Sequence, residues 1–112
     1  MSQITTHVLD TSLGRPGKNI KVELFQKNEN EWKLTAEGIT NDDGRCTDLL
    51  EKSNVPEYGI YKIKFYSGDY FNSSDTKTFY PYIEITFQIS DDEHYHVPLL
   101  LNPFGYSTYR GS

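Results

Sequence analysis

Two histidines stand two residues apart in His94-Tyr95-His96-Val97-Pro98-Leu99-Leu100-Leu101. On a strand, that spacing puts both imidazoles on one face. Histidine titrates near pH ~6.5, so such a pair can move protons under physiological conditions. The same pair can begin a metal chelate, which needs a third ligand and hydrogen-bonding partners behind the ligands. His7 or a carboxylate could be that ligand, and the sequence specifies neither; two ordinary surface histidines fit the pattern as well. The opposite face, Tyr95, Val97, Leu99 and Leu101, must be core, so His96 points away from the interior of its own domain. It faces solvent, a ligand or another subunit.

His7 lies in Thr5-Thr6-His7-Val8-Leu9-Asp10, where Val8 separates His7 from Leu9 and alternation leaves the buried face undecided. Arg45 follows the tight turn Asn41-Asp42-Asp43-Gly44, a loop position at which arginine is commonly solvated. Cys46 reads as a small buried hydrophobe rather than a nucleophile. No GxSxG elbow, P-loop or GxGxxG is present. Asn72-Ser73-Ser74 matches a glycosylation acceptor, which has meaning only in a secreted chain. The segment Gly105-Tyr106-Ser107-Thr108-Tyr109-Arg110-Gly111-Ser112 is aromatic and rich in hydroxyls. It reads as a docked end that holds Arg110 and Ser112 in place, or as a plain edge strand with a polar finish.

The frame for these side chains has a period of two, the mark of strands with one buried face. Ile20, Val22 and Leu24 alternate with Lys21 and Glu23; Trp32, Leu34 and Ala36 alternate with Lys33, Thr35 and Glu37. Between them Lys27-Asn28-Glu29-Asn30 is a polar tip whose asparagines tolerate the left-handed conformation, which predicts a hairpin. Tyr61, Ile63 and Phe65 form a further strand, as do Ile83, Ile85, Phe87 and Ile89. Residues 4–10 and 105–110 supply terminal strands. Gly68 to Asp75 is the one plausible helix. Seven or eight short strands (about that number) between Gly-, Pro- and Asn-rich breakers predict an all-β, two-sheet sandwich in a single domain over 1–112.

Composition narrows the function. Eleven basic against sixteen acidic residues give a net charge of −5, which argues against nucleic-acid binding. A mean hydropathy of −0.65 and the lack of a long apolar run exclude a membrane span by helix. Met1-Ser2-Gln3-Ile4-Thr5-Thr6 shows no secretory signal, so a cytoplasmic location is expected. One cysteine makes neither an internal disulfide nor a CxxC zinc site. Hydrophobic content is only 36%, yet nine residues are tyrosine. Half-polar aromatics around a small core suggest surfaces buried against other copies of the chain, or simply residues that suit strands.

Three blocks resemble one family. Thr6-His7-Val8-Leu9-Asp10-Thr11 with Gly14 and Pro16 is similar to the opening motif of the transthyretin-like 5-hydroxyisourate hydrolases. Thr40-Asn41-Asp42-Asp43-Gly44-Arg45 resembles their arginine loop. His94 to Leu101, leading to Tyr106-Ser107-Thr108-Tyr109-Arg110-Gly111-Ser112, resembles their closing block, whose Tyr-Arg-Gly-Ser ending sets them apart from hormone carriers. Gly17 departs from the alanine of many members.

The resemblance implies a transthyretin-like β-sandwich of about eight strands with one short helix, assembled as a homotetramer. It implies a channel between dimers in which His7, Arg45, His96 and Ser112 are catalytic, while His7, Arg45, Tyr109 and Arg110 bind substrate. The substrate would be 5-hydroxyisourate, a small purine-derived ring, opened to 2-oxo-4-hydroxy-4-carboxy-5-ureidoimidazoline with no cofactor and no metal. Water is a poor nucleophile at neutral pH, so a histidine base is needed, and a fixed guanidinium can stabilise the carbonyl oxygen under attack. The leaving nitrogen needs a proton from a second histidine or a hydroxyl. Which histidine is base and which is acid stays open. The alternatives are a transthyretin-type carrier of a small aromatic ligand and an adhesion sandwich with sugar-stacking tyrosines.

Overall fold

The computed structural model describes residues 3–49 and 57–111. Two sheets face one another. The first is built on β1 (Ile4–Asp10), β8 (Tyr95–Asn102) and β9 (Gly105–Thr108), with the two-residue strands β2 (Arg15–Pro16) and β5 (Arg45–Cys46) both pairing with β1. The second runs β4 (Glu31–Ile39), β3 (Lys21–Asn28), β6 (Gly59–Phe65), β7 (Ile83–Ile89). The helix α1 spans Ser67–Asn72, a little ahead of its expected place, and Asp75 beyond it takes a left-handed φ of 53°.

Apolar alternation explains the core. Val22 and Leu24 of β3, Tyr61, Ile63 and Phe65 of β6, and Val97, Leu99 and Leu101 of β8 are buried between the sheets with Ile4 and Val8 of β1. Each such side chain contributes about 1.5–3 kcal/mol when taken out of water. Val8 settles the ambiguity of the first strand: it is fully buried, so His7 and Leu9 lie on the outer face. Cys46 is buried as expected, and burial, with Asp48 beside it, pushes its thiol up to about 11. A Cβ at Gly17 would fall 2.8 Å from Val8 Cγ1 and 2.9 Å from Ile20 Cδ1, so the interior here is fitted to glycine.

Two local expectations are corrected. Trp32, Leu34 and Ala36 were expected on one buried face, but the register slips between Leu24 and Phe25: Leu24 opposes Ala36 while Phe25 opposes Leu34. The extra residue is a β-bulge, which turns the strand beyond it over. Trp32 and Leu34 therefore reach the outer face, 37% and 47% exposed. At the tip of the same hairpin the left-handed residue is Glu29, at φ 56°, rather than an asparagine.

Candidate active site

The first sheet carries the site because β1 and β8 run parallel. Their register sets Thr5 opposite His96 and His7 opposite Pro98, while the antiparallel β5 sets Arg45 opposite His7. Strand alternation then gathers Thr5, His7, His94 and His96 on the outer face, away from the core. His7 and His96 are half-buried.

The loop before β5 holds Arg45. Asn41 Oδ1 accepts hydrogen bonds from the backbone N–H of Asp43 at 2.9 Å and of Arg45 at 3.0 Å. Gly44, at φ 75°, brings its backbone within 2.7 Å of Val8 N, and a Cβ there would fall 2.3 Å from Val8 O. Only glycine fits this turn. The Arg45 side chain is exposed and makes no ion pair or hydrogen bond among the described residues. Its charge is unspent.

Behind the histidines lies Thr5, whose hydroxyl is 2.9 Å from His94 Nε2 and 2.8 Å from His96 Nδ1. The two rings stack with centroids 6.2 Å apart. Burial, then the positive charge of Arg45, then His94 and His7 hold His96 below the usual histidine value. His96 is thus kept neutral at pH 7, able to accept or donate a single proton. Among the described residues no three His, Cys, Asp or Glu side chains converge in the manner of a metal site.

The chain end folds back onto this ring. Gly111 N donates to His96 O at 2.8 Å, and a Cβ at Gly111 would fall 2.6 Å from His96 Cδ2. The bridge between His96 and Gly111 continues the register in which Leu100 opposes Ser107, which sets Tyr109 on the histidine side. Arg110 falls on the other side: its guanidinium lies over the Tyr95 ring at 4.4 Å and 3.5 Å from Glu93. A pocket of about 280 Å³ opens beside His96, with Ile85 and Phe87 of β7 on one wall and Thr108, Tyr109 and Arg110 on the other.

Of the expected residues, His7, Arg45, His96 and Tyr109 therefore share one face, Arg110 is turned from it, and Ser112 lies outside the described residues. Thr5 was not singled out from the sequence, and Gly111 stood there only as part of the closing motif. Thr5 could have been found, since it stands two residues before His7 on the same strand.

A two-sheet sandwich with imidazoles and a guanidinium on the outer face of one sheet can move protons and stabilise an oxyanion. The chain belongs to the HIUase/Transthyretin family, whose model matches residues 4–111. It is 44% identical to a 5-hydroxyisourate hydrolase of Rhizobium meliloti, with 98% of this chain and 96% of that protein covered. The structure of Klebsiella pneumoniae 5-hydroxyisourate hydrolase superposes with a TM-score of 0.86 at 33% identity, over the whole of both chains. Sea bream transthyretin, solved with thyroxine, superposes with a TM-score of 0.91 at 26% identity, over 98% of this chain and 95% of that one. The backbone does not separate enzyme from carrier; the side chains must.

Proposed function

We propose that this chain hydrolyses 5-hydroxyisourate by opening its cyclic amide with water. The observation that carries the reading is the convergence of His7, His96 and Arg45 on one face, in a chain 44% identical to a hydrolase of that name.

In this proposal a neutral histidine takes a proton from water as the water attacks the carbonyl carbon. The carbonyl oxygen gains negative charge, and Arg45, held by the Asn41 turn and without a carboxylate partner among the described residues, stabilises it. A protonated imidazole then delivers its proton to the departing ring nitrogen, so the single opened molecule carries a new N–H and a carboxyl group and the imidazole is neutral again. His96, with His7 beside it on the same face, supplies this acid–base chemistry, a contribution of ~10²–10⁴-fold. Tyr109 and Ser112 complete the substrate contact. Arg110 enters differently: over Tyr95 and near Glu93, it holds the segment that carries Tyr109 and Gly111.

A homotetramer belongs to the same proposal. Tyr109 is 59% exposed on the histidine side, and a covering subunit would dry the site. The cytoplasmic location expected from the sequence is part of it too, and fractionation of the producing cells tests it.

The deciding experiment adds purified protein to freshly oxidised urate and follows the ultraviolet absorbance of the intermediate. Decay well above the spontaneous rate is expected. Unaccelerated decay, with a small aromatic ligand bound instead, would favour the carrier.

A further inference from the structure

We propose that Thr5 and His94 form a positioning pair that sets which ring nitrogen of His96 carries its proton. The inference deepens the hydrolase reading and rests on it. Thr5 is 2% exposed, and its hydroxyl lies within hydrogen-bond distance of one nitrogen from each ring, His94 Nε2 and His96 Nδ1. A hydroxyl has a single proton. It can donate to one ring only; donating to one while accepting from the other, it gives the two histidines opposite protonation patterns at these nitrogens.

Two arrangements follow. When Thr5 donates to His94 Nε2, His96 Nδ1–H donates to Thr5, and His96 Nε2 is left with a bare lone pair. That ring is a base. When His94 Nε2–H donates to Thr5, Thr5 donates to His96 Nδ1, and the proton of neutral His96 sits on Nε2. That ring is an acid.

Passage from one to the other needs no rotation. After His96 Nε2 accepts the proton of water, the ring is an imidazolium. Its Nδ1–H bond then breaks as a new Thr5 O–H bond forms, and the former Thr5 O–H bond breaks as His94 Nε2–H forms. The total charge is unchanged, and it now resides on His94. His96 is neutral again with its proton on Nε2, aimed at the leaving nitrogen; as it is delivered, the two shifts reverse. The move is favourable in direction because His94 is exposed, while His96 is half-buried and faces the cation of Arg45.

Thr5→Val keeps the branched shape and removes the hydroxyl; Thr5→Ser keeps the hydroxyl. The valine variant is expected to lose about 10- to 100-fold in kcat with KM within about twofold, and serine to recover most of the loss. Nitrogen-15 spectra of His96 should show one tautomer in the wild type and a mixture in Thr5→Val and in His94→Phe. A valine variant with wild-type kcat and unchanged shifts would overturn the pair, as would valine and serine variants equally impaired. Should Thr5→Val fail to fold, His94→Phe, at an exposed site, decides by the same kcat and spectra. Wild-type protein inert towards 5-hydroxyisourate would strike the hydrolase reading, leaving the tautomer spectra to judge the pair.

Discussion

The outer faces of the two sheets use similar residues to opposite ends. On the second sheet every lysine near a ring is engaged. Lys62 lies 4.4 Å from the Trp32 ring, 5.2 Å from Phe25 and 3.1 Å from Glu84, while Lys64 sits 4.2 Å from Tyr82 and 4.9 Å from Tyr66. On the first sheet Arg45 has no such partner among the described residues, and His94 and His96 bond to a hydroxyl rather than to a carboxylate. Rings and cations that satisfy one another make a surface. A cation without a counter-charge beside imidazoles that bond only a neutral hydroxyl, held by a stiff backbone, makes a site.

Breaking the site side should give the largest effects. His96→Ala and Arg45→Ala are each expected to lower turnover by about two orders of magnitude or more, with the sandwich intact by circular dichroism. Near-native activity in either would remove that residue from the mechanism. Gly111→Ala puts a Cβ 2.6 Å from His96 Cδ2 and should cost roughly tenfold in kcat through a displaced ring, while the thermal midpoint moves little.

A proton titration sharpens the comparison further. His96 is held below the ordinary ~6.5 by burial first and Arg45 next, so the fold favours its neutral form. Its contribution to stability is complete above pH ~6.5 and is lost as the pH falls through the lower, folded value. In Arg45→Ala the nuclear magnetic resonance titration of His96 should move up towards ~6.5; an unmoved titration would deny the coupling. The smallest effect belongs to the second sheet, where Lys62→Ala should cost at most about 1 kcal/mol in denaturant unfolding and leave kcat unchanged.

Much of this contrast is written in local spacing, and some is not. The outward aim of His96 follows from Tyr95, Val97 and Leu99 alone, because a two-residue period has only two faces. The hairpin and the later strands follow from turn residues and alternation in the same way. The bulge that turns Trp32 and Leu34 outward leaves no such trace: it depends on how Phe25 and Leu34 meet across the pair. The meeting of Thr5 with His94 and His96 was equally hidden. It arises from parallel pairing between strands far apart in the chain, and spacing within either strand says nothing of it. For Gly111, the motif marked the residue but not the ring against which it lies.

That parallel pairing also sets a timetable. β1 carries Thr5 and His7, and its partner across the ladder begins at Tyr95, so roughly 90 residues must be made between one half of the site and the other. At ribosomal speeds of about 5–20 residues per second, β1 waits some 5–20 s for β8 to be synthesised. A chain closing so large a loop before any reward from contact belongs among slow folders, with times of milliseconds to seconds for sandwiches. During that wait the flank of β1 that β8 will cover is an open edge, ready to pair with a neighbouring nascent chain. Expression temperature and chaperone supply should therefore govern the yield of active protein more than the stability of the finished fold does.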